Sequence, residues 1–450
     1  MTTPLAPVTA SLALRARGPF DALDAVTRLA ITDRSTTLDV TVRARTSAII
    51  ERVRTAGDEA LLALAQEFDG VTLTAFDVPR ERWTHALATL DPMLRAALER
   101  AARNIAAVHT AFLPRETQCS PEPGITVGRR PDPLQRVGVY APGGRATYPS
   151  SLLMGAIPAR VVGVRDVIVC SPPGADGLPS AVVLAAAELA NVDRVFAIGG
   201  AGAIAAMAFG TATVPRVDRI VGPGNAYVAE AKMQLSSHVT IDAPAGPSEL
   251  LVLADDRADA AAIARELLAQ AEHDPDAAVI AVICGDDAAS LAADVERLLA
   301  AVVTATPRAV IVRESLAARG ALVTSPSLAR GIQIANEWSA EHVLLLVPDD
   351  CRDATLAALR NAGTVFIGAS SSVAYGDYMT GANHVLPTAG TARRYSGLSS
   401  LDFVRWTSWQ TVTPMAAAAM ADDVGRFAEA ESLPAHAAAA RAWRATGAQS

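Results

Sequence analysis

Apolar residues change their rhythm along the chain. Between residues 38 and 112 they recur at helical spacing. Arg45 to Phe68 forms one amphipathic run interrupted at Gly57, and Pro92 to Phe112 forms another. The Pro-rich stretch SPEPGITVGRRPDPLQ follows, a composition suited to a crossing between domains. From Arg136 the texture becomes short β-branched runs ending in Gly or Pro, each followed by an Ala-rich helical stretch. VGVY, DVIVCSPP, RVFAIGG and DRIVGPGN are the first such runs; SELLVLAD, AVIAVIC, AVIVR, HVLLLV and TVFIGAS continue the series. Strands separated by helices imply βαβ units and parallel sheets. The pattern therefore predicts an α/β fold of two parallel-sheet, incomplete Rossmann-like domains, residues 131–246 and 247–394. A helical N-terminal region, 1–130, is expected to pack on the second of them. After Tyr395 no strand pattern is visible, and 395–450 reads as a small helical tail domain.

Composition narrows the class. At 450 residues, the chain is about three times a ~150-residue domain, which allows two or three domains. An apolar share of 51% and a charged share of 19% exclude a disordered or fibrous chain. Lys and Arg number 39 against 47 Asp and Glu, a net charge of −8 that offers no footprint for nucleic acid. The longest apolar runs, such as Ala201 to Val214, fall short of the ~18 residues of a membrane span and contain Gly and Thr. The first residues lack the basic lead and clean apolar stretch of a signal peptide, so a cytoplasmic protein without membrane attachment is expected. Cys119, Cys170, Cys284 and Cys351 are scattered, with no CxxC pair. They read as reduced thiols, two of them ending apolar runs, rather than as disulfides or a cysteine zinc site.

Four segments concentrate chemistry. Gln270 and His273 stand at i and i+3 near a helix end, on one face, where two N/O donors can grip a metal; the alternative is a polar helix terminus before the HDPD turn. Glu341-His342 directly precedes an apolar strand, as a base and its neighbour or as a solvated strand start. GDYMTGANHVLPT, residues 376–388, places Asp377 and His384 in a Gly-rich loop. ESLPAH holds Glu431 and His436, which taken alone mark only a helix start. Gly200-Ala-Gly202-Ala-Ile-Ala205 mimics a GxGxxA pyrophosphate turn, but the acid that would confirm it is misplaced, since Asp218 precedes the next strand. GPGNAYV (222–228) and VYAPGG (139–144) are two more turns after strands, where ligands of open parallel sheets collect.

Taken together these segments resemble the histidinol dehydrogenase family from about Glu51 to His436. The motifs are RVGVYAPGGRATYPSSLLMGAIPA, VGPGNAYVAEAK, IDAPAGPSEL, LLAQAEHD, AEHVLL, GDYMTGANHVLPT and YSGLSSLDF. The resemblance implies oxidation of L-histidinol to L-histidine in two NAD-dependent steps through an enzyme-held aldehyde, the last step of histidine biosynthesis. It implies one Zn²⁺ per subunit on Gln270, His273, Asp377 and His436, and a catalytic pair Glu341 and His342. Substrate contacts would fall on Ser248, Gln270, His273, His342, Asp377, Glu431 and His436, and NAD contacts on Tyr140 and Asn225. The tail would reach into the other subunit of a homodimer, so that His436 completes the partner's site.

One position departs from the family's pattern. Where GGAQAIAA is usual, with a Gln that contacts NAD, this chain has Gly202 in GGAGAIAA. Loss of that contact predicts weaker cofactor binding, restored by Gly202→Gln. Three rivals remain at this stage. An enzyme of the same scaffold for another small polar alcohol, such as a sulfonated propanediol, would retain NAD. A zinc hydrolase would use metal-bound water without NAD. A non-catalytic zinc-binding paralogue would have lost Glu341 or His342.

Overall fold

The computed structural model describes residues 12–34, 40–143, 147–243 and 246–444. Gly144 of VYAPGG, with Arg145 and Ala146, and Pro244 and Ala245 of IDAPAGPSEL lie outside the described residues, as do both ends of the chain.

The described strands, in chain order, are β1 (Ala16–Pro19), β2 (Thr117–Cys119), β3 (Ile125–Pro133), β4 (Arg136–Tyr140), β5 (Asp166–Ser171), β6 (Arg194–Ala197), β7 (Arg219–Val221), β8 (Thr240–Ile241), β9 (Glu249–Asp255), β10 (Ala278–Cys284), β11 (Gly320–Ser325), β12 (His342–Leu346), β13 (Thr364–Ile367) and β14 (Val404–Val412). A first sheet runs β6-β5-β4-β7-β8 and a second β1-β11-β10-β9-β12-β13, every pairing in both being parallel. The central strands β9 and β10 are buried almost end to end, because helices cover both faces; hence their unbroken apolar sequences. Helices Ala260–Ala271 and Ala288–Ala305 cover one face. Leu328–Trp338, with Phe20 and Ile31 of the N-terminal segment, covers the other.

The break at Gly57 is real: φ 53 and ψ −125 interrupt the helix Val40–Leu64 there. Its partner is not the expected one. Val40–Leu64 lies against Gly200–Phe209 and Ala226–Leu235, Arg80–Thr89 against Ala181–Leu189, and Pro92–Ala111 against Pro149–Val162. The early helices thus form an outer layer on the first sheet, not the second. Only the segment before Arg34 joins the second sheet, through β1 on the edge of β11.

Two strand expectations also fail. AVIVR opens the helix Ala309–Arg319, and the strand comes one step later as β11. Its burial follows helical spacing, with Val312, Ser315 and Leu316 inside, a pattern that so short an apolar run does not reveal. The tail carries β14, which pairs antiparallel with β3 from within the Pro-rich segment, and β2 completes that small sheet. Most of β14 is exposed, so the apolar alternation that announces a strand is missing from its sequence.

Candidate active site

Strand direction decides where chemistry can gather. Tyr140, Gly200 and Asn225 follow or end strands at the carboxyl edge of the first sheet. In chain order, β8 at the carboxyl edge of the first sheet is followed by β9 of the second. The carboxyl edge of one sheet therefore leads to the amino edge of the other, where Ser248, Glu341 and His342 stand at strand heads. Two bonds tie the edges together: Asn383 Nδ2 donates to the Met154 carbonyl at 2.8 Å, and His384 Nε2 lies 3.1 Å from Ser151 Oγ.

The Glu341-His342 pair is buried, at 5% and 3% exposure. Both side chains are held by one residue, Glu249, at the head of the neighbouring β9. The Glu249 N–H donates to Glu341 Oε2 at 2.7 Å, and the Glu249 carbonyl stands 2.9 Å from His342 Nδ1. A carbonyl only accepts, so Nδ1 carries the proton. In the neutral ring the lone pair is then on Nε2, which lies 4.0 Å from Asp377 Oδ1 beside a narrow cavity lined by Phe366, Asp377, Asn383 and His384. Burial works against the imidazolium. The carboxylate of Glu341, 3.4 Å from Nδ1, and that of Asp377 outweigh it and push the pKa of His342 up to about 9. The ordinary imidazole value near 6.5 therefore does not describe this ring while both carboxylates keep their full charge. His384 moves the other way, burial holding its pKa below the usual range, and its Nδ1 is 2.9 Å from the Asp377 carbonyl.

Asp377 sits in the short helix Val373–Tyr378, and Gln270 in the last turn of Ala260–Ala271. Glu266, one turn before Gln270, accepts the N–H of Val373, one turn before Asp377, which ties the two helices together. Gln270 is 2% exposed, yet its amide nitrogen has no hydrogen-bond partner. A buried amide left unsatisfied costs about 1–3 kcal/mol. His273 lies just beyond the helix and is exposed. Glu431 and His436 are exposed too, on the hairpin of helices Pro414–Ala430 and Pro434–Arg441. Among the described residues, no three His, Cys, Asp or Glu side chains form a metal-holding group. The structure thus brings Glu341, His342 and Asp377 together, with Ser248 half-buried at the head of β9, and leaves His273, Glu431 and His436 exposed.

At the edge of the first sheet, two helix N-termini have some of their donors taken by side chains. Tyr140 Oη accepts the Gly200 N–H at 3.1 Å, and Asn225 Oδ1 accepts from Tyr227 and Val228, each at 3.1 Å. The first N–H of the GxGxxA look-alike is therefore taken by a tyrosine. Gly202 lies in the first turn of the helix Gly200–Phe209. A Cβ built on it would lie 3.0 Å from Leu64 Cδ1 and 3.6 Å from Leu61 Cδ2, so position 202 faces the outer helix layer.

Sequence reading missed Glu249 and Arg34. Glu249 is a buried carboxylate at the head of an apolar strand, and such a charge in such a run was the available signal. Arg34 carried none.

Comparisons with known proteins agree over nearly the whole chain. The family model described as histidinol dehydrogenase matches residues 32–444. A histidinol dehydrogenase of Methanosarcina mazei is 46% identical over 397 residues, 88% of this chain and 90% of that protein. One from Halobacterium salinarum is 46% identical over 413 residues, 91% of this chain and 95% of that one. The crystal structure of histidinol dehydrogenase from Elizabethkingia anophelis superposes with a TM-score of 0.90 at 31% identity, covering 97% of this chain and 99% of that chain.

Proposed function

The chain belongs to the histidinol dehydrogenase family and is an NAD-dependent oxidoreductase of histidinol, and on that premise we propose how its residues divide the work. L-Histidinol becomes L-histidine in two oxidations, with the aldehyde retained and hydrated between them. The observation that carries the assignment is the 2.9 Å bond from His342 Nδ1 to the Glu249 carbonyl, which leaves Nε2 as the base facing the cavity. His342 takes the alcohol proton in the first oxidation. Glu341, fixed through one oxygen by the Glu249 N–H, activates the water that adds to the aldehyde, and the hydrate supplies the second proton and hydride.

Gln270, His273 and Asp377 would hold a Zn²⁺ ion with His436 of a second copy of the chain. The nitrogen and oxygen donor set, Gln270 contributing through its amide oxygen, supports this reading. When bound, the ion supplies a fixed positive charge and coordination for the substrate's amine and imidazole. Asp377, its charge then shared with a cation, exerts less pull on the imidazolium of His342, which favours the neutral base. Glu431 and His436, exposed on the tail hairpin, would meet another subunit in a homodimer of shared sites. NAD, which accepts each hydride when bound, would lie at the carboxyl edge of the first sheet beside Tyr140 and Asn225. Ser248 would contact the substrate from the head of β9.

NADH formation from L-histidinol, with and without chelator, tests the whole reading. Two NADH per histidinol and loss of activity on metal removal, restored by Zn²⁺, are expected. One NADH per substrate, no reaction with histidinol, or full activity of metal-free protein contradicts it.

A further inference from the structure

Arg34 lies 215 positions before Glu249 in the chain and is 3% exposed. Its guanidinium stacks on the indole of Trp338, 3.6 Å from the ring centroid. Nε donates to Glu249 Oε1 at 2.7 Å, while one terminal nitrogen donates to the carbonyls of Trp338 and Ser339 and the other to Thr32. Trp338 and Ser339 form the turn into β12, where Ser339 adopts φ 54, a left-handed conformation costly for a residue with a side chain. Two residues later comes Glu341. Glu249 is the residue whose main chain holds both Glu341 and His342, and its Oε1 also accepts the Ala389 N–H at 2.7 Å. One arginine thus grips the strand that holds the pair and the turn that presents it.

We propose that Arg34 and Glu249 are a positioning pair for Glu341 and His342. They touch no reacting atom; they fix the Glu249 main chain against the turn 338–341. This sets which imidazole nitrogen is protonated and where the carboxylate points. A guanidinium suits the task because its planar fork serves a carboxylate and carbonyls at once, which a lysine ammonium does not. Displacement of a reacting group by about 1 Å can cost 10²-fold in rate, so modest loosening is visible in turnover. The inference rests on Glu341 and His342 being the catalytic pair.

The test is steady-state kinetics of the full-length enzyme on Arg34→Lys, Arg34→Met and His342→Asn, at temperatures below each variant's melting midpoint. Arg34→Lys should lower kcat at least about threefold and Arg34→Met at least about tenfold. KM for histidinol and NAD should stay within about threefold in both. A residue that only stabilises the fold would lower the midpoint and leave kcat of the folded enzyme intact. If Arg34→Met fails to fold, Arg34→Lys decides. Either folded Arg34 variant with kcat within about twofold of the parent, or a loss confined to KM, overturns the positioning role. A His342→Asn enzyme with undiminished kcat would instead overturn the assignment beneath it.

Discussion

Replacing Lys232 by methionine keeps the length of the side chain and removes one charge from the interior. Lys232 is 3% exposed and Asp242 6%, and the two form an ion pair astride the turn after β7. Lys232 Nζ donates to the Gly222 carbonyl at 3.0 Å, and the Gly222 N–H donates to Asp242 Oδ2 at 2.7 Å. Gly222 has φ 111, and a Cβ there would lie 2.2 Å from the Tyr140 carbonyl oxygen, so the turn is pressed against the end of β4. Without Lys232, a buried carboxylate stands uncompensated, at a cost of about 3–5 kcal/mol. At about 2–4 °C per kcal/mol for a domain of this size, the melting midpoint falls by roughly 6–20 °C. The turn that presents Asn225 also loses one anchor, worth about 0.5–1.5 kcal/mol, or a two- to tenfold weaker NAD affinity. Lys232→Met combined with Asp242→Asn removes both charges and keeps an acceptor for the Gly222 N–H. It should therefore be more stable than Lys232→Met alone. Thermal melts followed by circular dichroism, with NAD titration by calorimetry, read both effects. A single variant melting within about 2 °C of the parent, or a double variant no more stable than the single, refutes the buried-charge reasoning.

Gly202→Gln, which sequence alone predicts to tighten NAD binding, meets Leu61 and Leu64 first. It should cost about 1–3 kcal/mol by overpacking and leave NAD binding no tighter, and tighter binding at unchanged stability would contradict the structure. His109 is 1% exposed with both ring nitrogens unpartnered, and burial lowers its pKa to about 4. The unfolded chain then binds the proton first, so stability falls as pH drops through 6.5 and levels off below about 4, a loss of roughly 3 kcal/mol. His109→Phe should flatten that limb in denaturant titrations at successive pH values; an unchanged slope would count against it. Homodimers of His436→Ala and of His342→Ala should each be nearly inactive. After verified subunit exchange, mixed dimers should recover one working site of two, and no recovery would exclude a shared site.

Much of the architecture was legible because a parallel sheet writes itself into sequence. β9 and β10 read as unbroken apolar runs since both faces are covered, and Gly57 broke its helix where the pattern broke. Candidate chemistry stood out in the sequence where rare residue types fall in a fixed local order, as in Glu341-His342 or in Gln270 with His273. Exposed or short elements left no such mark: β14 has too little buried surface to impose an alternation, and AVIVR is too short to declare its period. Only the tertiary structure decided the remainder. It placed the early helices on the first sheet, turned Gly202 towards Leu64, bonded the first N–H of the glycine-rich helix to Tyr140 and set Arg34 against Glu249, which holds Glu341 and His342. These are relations between residues tens to hundreds of positions apart, fixed by which apolar faces meet and which buried charges must be paired. Local periodicity records that a face is buried, but not against what.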